Sequence, residues 1–140
     1  MAAYVVDTDV LVAAFRSNAG ASRRILEAAL ARRFELLLSV PLVLEYESVL
    51  TRPEQLAASG ASKEDVTEVL DELAAVCKRV ELAIRLRPML TDPNDEMVLE
   101  TAVNGNADAI ITFNDRDFAR VAERFDCSVL RPAQVVRMLI

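Results

Sequence analysis

Residues 3–15 read AYVVDTDVLVAAF. The first four, Ala3 to Val6, form a short apolar run that ends on Asp7, and such a run fits a buried strand. From Asp9 to Phe15 the pattern turns helical, so an acid stands where a strand hands over to a helix. Ala21 to Arg32 repeats apolar residues at Ile25, Leu26, Ala29 and Leu30, the spacing of an amphipathic helix.

The same alternation continues outward. Glu35 to Leu38 reads as a second strand. Ser39 and Pro41 then start a helix to about Thr51, because proline suits a first turn whose N–H has no partner. Pro53 to Gly60 is a polar break or a short helical piece, and Ser62 with Asp65 resembles a capping box opening a helix to about Val76. Arg79 to Leu82 is expected to be a strand. Asp92 to Asp95 form a turn into a helix through Val103, closed by Gly105. A strand at Ala109 to Thr112, a helix within Asp115 to Phe125, a strand at Ser128 to Leu130 and a final helix from Pro132 complete the chain. Short apolar strands alternating with helices predict a three-layer α/β/α fold with a short parallel central sheet. With 140 residues, one domain spanning 1–140 is expected, without repeat or linker.

Composition restricts the chemistry. There is no histidine, which removes imidazole general bases, Ser-His-Asp and Cys-His schemes, and zinc sites with imidazole ligands. Lysine occurs twice, at Lys63 and Lys78, so any catalysis falls mainly on carboxylates. Cys77 and Cys127 lie far apart and are expected to be reduced thiols in a cytoplasmic protein, with no signal peptide and no membrane span. The net charge of −6 opposes loose binding to a polyanion, although metal ions would offset it at a site. Arg16, Arg23, Arg24, Arg32 and Arg33 cluster near the start as a candidate phosphate-binding face, with a solvated helix surface as the second reading.

In parallel α/β folds, ligands gather at the carboxyl ends of the strands. Asp7 and Asp9 follow the first strand there, and Asp115 and Asp117 follow the Ala109 to Thr112 strand. Asp92 and Asp95 begin a helix that can face the same edge. Taken singly, Asp7, Asp92, Asp95, Asn114 and Asp115 can each be read as a helix cap. Glu45 and Glu47 lie on opposite flanks of a helix whose apolar face is Leu42, Val43, Tyr46, Val49 and Leu50, so spacing does not choose between them. Jointly, several acids at one edge would repel unless a cation lay among them. Hard oxygen donors suit Mg²⁺ or Mn²⁺, and such ions can activate water and stabilise charge on a phosphate.

Four segments carry a family resemblance: VVDTDVLVAAF, LSVPLVLEYESVL, DPNDEMVLETAVNGNADAIIT and NDRDF. In order and spacing they resemble a PIN domain, the fold of the VapC-type toxin ribonucleases, over nearly the whole chain. The resemblance implies a metal-dependent endoribonuclease using Mg²⁺ or Mn²⁺, with Asp7, Glu45, Asp95 and Asp117 as catalytic acids. Asp7 matches the first metal ligand, Glu45 the helical glutamate, and Asp95 the acid opening the later helix. The fourth acid belongs to a Thr-Gly-Asp segment in the family, where this chain reads Thr112-Phe113-Asn114-Asp115-Arg116-Asp117. Asn114 falls in the Asp position, so the metal set is completed by Asp115, by Asp117 or by the Asn114 amide. Asp9 stands where Asn is common. The resemblance also implies an RNA substrate, a cognate antitoxin protein and a homodimer.

Two other readings compete. VVDTDV also resembles the start of haloacid-dehalogenase-like phosphatases, with Asp7 as nucleophile and Asp9 as general acid; those enzymes use a lysine, and neither lysine here follows a convincing strand. A PIN-fold module that cleaves weakly because of Asn114, and mainly binds a protein partner, is the second.

Overall fold

The computed structural model describes residues 1–85 and 92–139. At its centre lies β1 (Ala3–Val6), with β2 (Glu35–Leu38) on one side and β4 (Ala109–Ile111) on the other. The outer strands are β3 (Lys78–Arg79) beside β2 and β5 (Ser128–Leu130) beside β4, giving the order β3-β2-β1-β4-β5 with every pairing parallel. Parallel neighbours need crossover connections, and the intervening helices provide them. These are α1 (Thr8–Arg16), α2 (Ala21–Leu30), α3 (Val40–Leu50), α4 (Pro53–Ser59), α5 (Lys63–Val76), α6 (Pro93–Asn104), α7 (Asp115–Ala122) and α8 (Pro132–Leu139). The expected α/β class, with a parallel sheet flanked by helices, is what the chain adopts.

Helix covers explain why the strands are apolar without alternation. Val5, Leu37, Ile110 and Ile111 are fully enclosed, as strands buried on both faces must be. Truncating such a side chain to alanine costs about 2–5 kcal/mol. Local signals also act as read. Ser39 caps α3, and its hydroxyl meets that of Thr101 at 2.7 Å on α6. The Ser62–Asp65 capping box forms in both directions, at 3.1 and 2.9 Å. The segment 53–60 is a true helix ended by Gly60 at φ 74°.

The third strand is a correction. It was expected at Arg79 to Leu82, but its ladder pairs are Leu37 with Lys78 and Leu38 with Arg79. Val80 still donates its N–H to the Leu38 carbonyl at 2.8 Å before the chain leaves the sheet. At an edge strand the backbone ladder sets the boundary; the apolar pattern of Val80 and Leu82 marks only where the departing chain touches the core. The short helix expected within Asp115 to Phe125 is α7, and Glu123–Phe125 follow it as a 3₁₀ turn.

The strand order fixes the place of a site. After β1 the chain winds outward through β2 and β3, then returns to lay β4 against the opposite side of β1. The crevice at the carboxyl ends of β1 and β4 is therefore the topological switch point, where open α/β sheets bind ligands. Among the described residues no helix is long and apolar enough to cross a membrane.

Candidate active site

The register of β1 and β4 pairs Val6 with Ile111, so the next residues, Asp7 and Thr112, emerge side by side. The Asp7 N–H donates to the Ile111 carbonyl at 2.9 Å, extending the ladder by one step. Asp7 is also the N-cap of α1. Its Oδ1 accepts the Thr8 N–H at 2.8 Å and its Oδ2 accepts the Thr112 hydroxyl at 2.7 Å. The cap reading and the cleft reading of Asp7 thus hold together, because the cap of a helix leaving a strand end lies at the sheet edge.

Around this pair opens a cleft of about 350 Å³, lined among others by Asp7, Asp9, Glu45, Asp92, Asp95 and Asn114. The α3 helix brings Glu45 to it half-buried, whereas Glu47 is exposed and does not line it. The α6 helix brings Asp95 in its buried first turn, with Asp92 as the N-cap accepting the Asn94 N–H at 2.9 Å. Asp9 lies in the first turn of α1. Its Oδ2 accepts the Phe113 N–H at 3.2 Å, while its buried Oδ1 has no hydrogen-bond partner among the described residues.

The remaining candidates separate. Asn114 donates its N–H to Thr112 Oγ1 at 2.9 Å and its amide Nδ2 to Asp117 Oδ2 at 2.8 Å. Asp117 stands behind Asn114 and is not among the lining residues, although its charge reaches Asp95. Asp115 turns away and pairs with Arg131 at 3.2 Å, which lowers its pKa below the ordinary value. The lysine of the phosphatase reading is not at the site: Lys78 pairs with Glu35 at 3.7 Å and Lys63 opens α5.

Charge and burial act against each other here. Burial, then the neighbouring Asp9 carboxylate, push Asp7 up to about 7. Burial and then the charges of Asp7, Asp92 and Asp117 push Asp95 up to about 6. Burial also raises Asp9, against the Phe113 N–H that lowers it. Carboxylates whose ionised form is disfavoured this way gain most from a cation. Among the described residues no three acids are gathered tightly enough to hold an ion as they stand. The donor set nevertheless fits a hard divalent ion, being all oxygen and including the unpartnered Asp9 Oδ1.

Three contributors escaped the sequence reading. Thr112 orients Asp7. Tyr46, fully buried beneath the cleft, donates its hydroxyl to the Val6 carbonyl next to Asp7, and burial keeps the phenol neutral by raising its pKa. Arg52 lines the cleft wall. Of these only Arg52 left a signal, an Arg-Pro step between two helices.

Residues 3–116 match the PIN domain family. The chain belongs to the PIN-domain family. A solved structure with a similar fold is that of VapBC2 from Rickettsia felis bound to a DNA fragment from their promoter, with a TM-score of 0.62 and 18% sequence identity over 92% of this chain and 98% of that one. At that identity the likeness concerns the fold. No curated protein matches the sequence. The matched segment of this PIN domain ends at Arg116 and so contains Asp7, Glu45, Asp95 and Asn114, but not Asp117.

Proposed function

We propose that the cleft is the active centre of a metal-dependent endoribonuclease, and that the chain is the toxin of a type II toxin–antitoxin pair. The observation that carries the enzymatic reading is the meeting of Asp7, Glu45 and Asp95, from three separate elements, on one cleft at the sheet's switch point. PIN-domain membership supports nuclease chemistry. The VapBC2 complex, similar in fold, supports an antitoxin partner.

In this reading Asp7, Glu45, Asp95 and the Asn114 amide oxygen would hold Mg²⁺ or Mn²⁺, and Asp117 orients that amide by accepting its N–H. An ion so bound would supply an activated water and a counter-charge for the phosphate. The chain's own residues do the positioning. Thr112 fixes Asp7 through its hydroxyl and Tyr46 fixes the strand end beneath it, while Asp115 pairs with Arg131 and does not line the cleft.

Substitution tests this directly. Asp7→Asn and Asp95→Asn should each lower Mn²⁺-dependent RNA cleavage by on the order of a hundredfold or more, with unchanged circular dichroism. A DNA oligonucleotide of the same sequence serves as the substrate control. Wild-type cleavage rates in both variants would overturn the proposal.

A further inference from the structure

We propose that Arg52 and Arg16 form a cationic strip that takes the phosphates of single-stranded RNA at the entrance to the acidic cleft; this rests on the ribonuclease reading above. The problem it answers is electrostatic. The chain carries a net charge of −6, and the cleft is walled by Asp7, Asp9, Glu45, Asp92 and Asp95. A polyanion approaching such a wall is repelled unless cations flank the entrance.

Among the described residues lining the cleft, Arg52 is the one basic side chain. It is exposed, and among the described residues no carboxylate lies within ion-pairing distance of it. Its backbone is fixed at the corner between α3 and α4. The Arg52 N–H donates to the Val49 carbonyl at 3.2 Å, and its carbonyl accepts from Gln55 at 2.9 Å and Leu56 at 3.0 Å. Pro53 restricts the preceding residue to extended backbone, and Arg52 sits at φ −62°, ψ 140°. The guanidinium therefore extends from an anchored corner.

Arg16 is held beside it. Gln55, one helical turn after Arg52, accepts from Arg16 Nε at 3.1 Å and Nη2 at 2.8 Å. Two bonds donated to one neutral amide oxygen fix the guanidinium plane without cancelling its charge. A carboxylate in that place would have oriented the arginine and neutralised it. Arg16 ends α1, the helix that Asp7 caps, and lies about one turn, roughly 6 Å along the helix, beyond Val12, which lines the cleft. The two arginines are thus joined through the first turn of α4, one at the cleft wall and one farther out. Guanidinium groups suit this role because their planar donors match phosphate oxygens. Of the arginines clustered near the start of the sequence, Arg16 is the one this geometry ties to the cleft; Arg24 and Arg33 line a separate pocket beside α8.

The test uses the full chain with Arg52→Gln, Arg16→Gln, the double variant and Arg52→Lys. A 5′-labelled single-stranded oligouridylate reports binding by anisotropy in the Asp95→Asn background, and cleavage with Mn²⁺ in the otherwise wild-type background. Each Gln variant should raise Kd and KM about three- to tenfold and the double variant more, while kcat changes less than about twofold. The slope of log Kd against log salt should fall by about 0.7 per arginine removed. Arg52→Lys should recover most of the salt slope and part of the affinity. The Mn²⁺-induced rise in Tm should be the same in all variants, which separates this effect from damage to the ion site. Cleavage with wild-type KM, Kd and salt slope in the double variant overturns the strip and leaves the ribonuclease reading standing. Arginine-dependent RNA binding in a chain that cleaves nothing upholds the strip and overturns the ribonuclease reading.

Discussion

Thr112 donates its hydroxyl to Asp7 Oδ2 at 2.7 Å, joining two residues 105 positions apart. The hydroxyl oxygen of Thr112 also accepts the Asn114 N–H at 2.9 Å, so one side chain organises both a buried carboxylate and the loop after β4. Thr112 itself is fully buried. Thr112→Val keeps the shape but leaves Asp7 Oδ2 and the Asn114 N–H without this partner. We expect a loss of about 1–3 kcal/mol in denaturant unfolding. Because the hydroxyl lowers the Asp7 pKa, its removal should raise it further. Mn²⁺ affinity should then fall roughly tenfold or more near neutral pH, as for other supports of metal ligands. Calorimetric titration with Mn²⁺ checks this, and equal affinity in the variant would refute the positioning role.

The raised pKa values make metal-free stability depend on pH in a definite direction. Asp7 titrates at about 7 and Asp95 at about 6 in the folded chain, against an ordinary value of 3.8. Between those limits the folded state binds more protons than the unfolded state. Stability from these groups is complete below about pH 4 and is lost as pH rises through 6 and 7. In EDTA, Tm should therefore fall from pH 5 to pH 8 by roughly 12 °C, equivalent to about 4 kcal/mol at this size. Saturating Mn²⁺ should raise Tm more at pH 8 than at pH 5, since ligands must be deprotonated to bind. A metal-free Tm that climbs over this range would contradict the burial and repulsion argument.

Tyr46 supplies a test of how far the support extends below the cleft. Its hydroxyl donates to the Val6 carbonyl, one residue before Asp7, and no part of it reaches the cleft wall. Tyr46→Phe removes the donor while keeping the ring that fills the core. About 1 kcal/mol of stability should be lost. If the hydroxyl also holds the strand end in place, KM for RNA should stay near wild type while Mn²⁺ affinity weakens. Loss of stability with unchanged Mn²⁺ affinity would confine Tyr46 to packing.

The sequence made some of this legible and hid the rest for physical reasons. The strand β1 was readable because Ala3 to Val6 is apolar throughout and stops at an acid. Asp7 and Asp95 were readable as candidates because each stands at the start of a helix; Asp7 is buried as the cap of α1 at the sheet edge, and Asp95 in the first turn of α6, which Asp92 caps. Glu45 against Glu47 was not decidable from spacing, since both flank the same apolar face; the packing of α3 against α1 and α6, which carry the other acids, brings Glu45 and not Glu47 to the cleft. The partners of Thr112, Tyr46 and Arg16 are 105, 40 and 39 residues away, and no local pattern encodes a hydrogen bond at that separation. Asp115 looked equivalent to Asp117 in sequence; the approach of Arg131 from beyond β5 to Asp115, and of the Asn114 amide to Asp117, distinguishes them.

Gly105 shows the same division within one residue. The sequence marks it as the glycine that closes a helix, and it is the C-cap of α6. A closing glycine commonly adopts a left-handed backbone, but here φ is −92°, a value open to any residue. Its requirement is space. A Cβ added there would lie 2.9 Å from both Leu37 Cδ1 and Val80 Cγ2, and 3.1 Å from the Thr101 carbonyl oxygen. Leu37 is fully enclosed in β2, so it has little room to retreat. Gly105→Ala should therefore cost about 1–3 kcal/mol by overpacking, outweighing the roughly 1 kcal/mol that alanine gains in helical backbone. Gly20→Ala is the control, because its Cβ would meet only Ser17 at 3.5 Å, an ordinary contact; its stability should stay within about 0.5 kcal/mol. Denaturant unfolding of the two variants separates the cases, and equal stability would show that the α6 end can move away from β2 without loss.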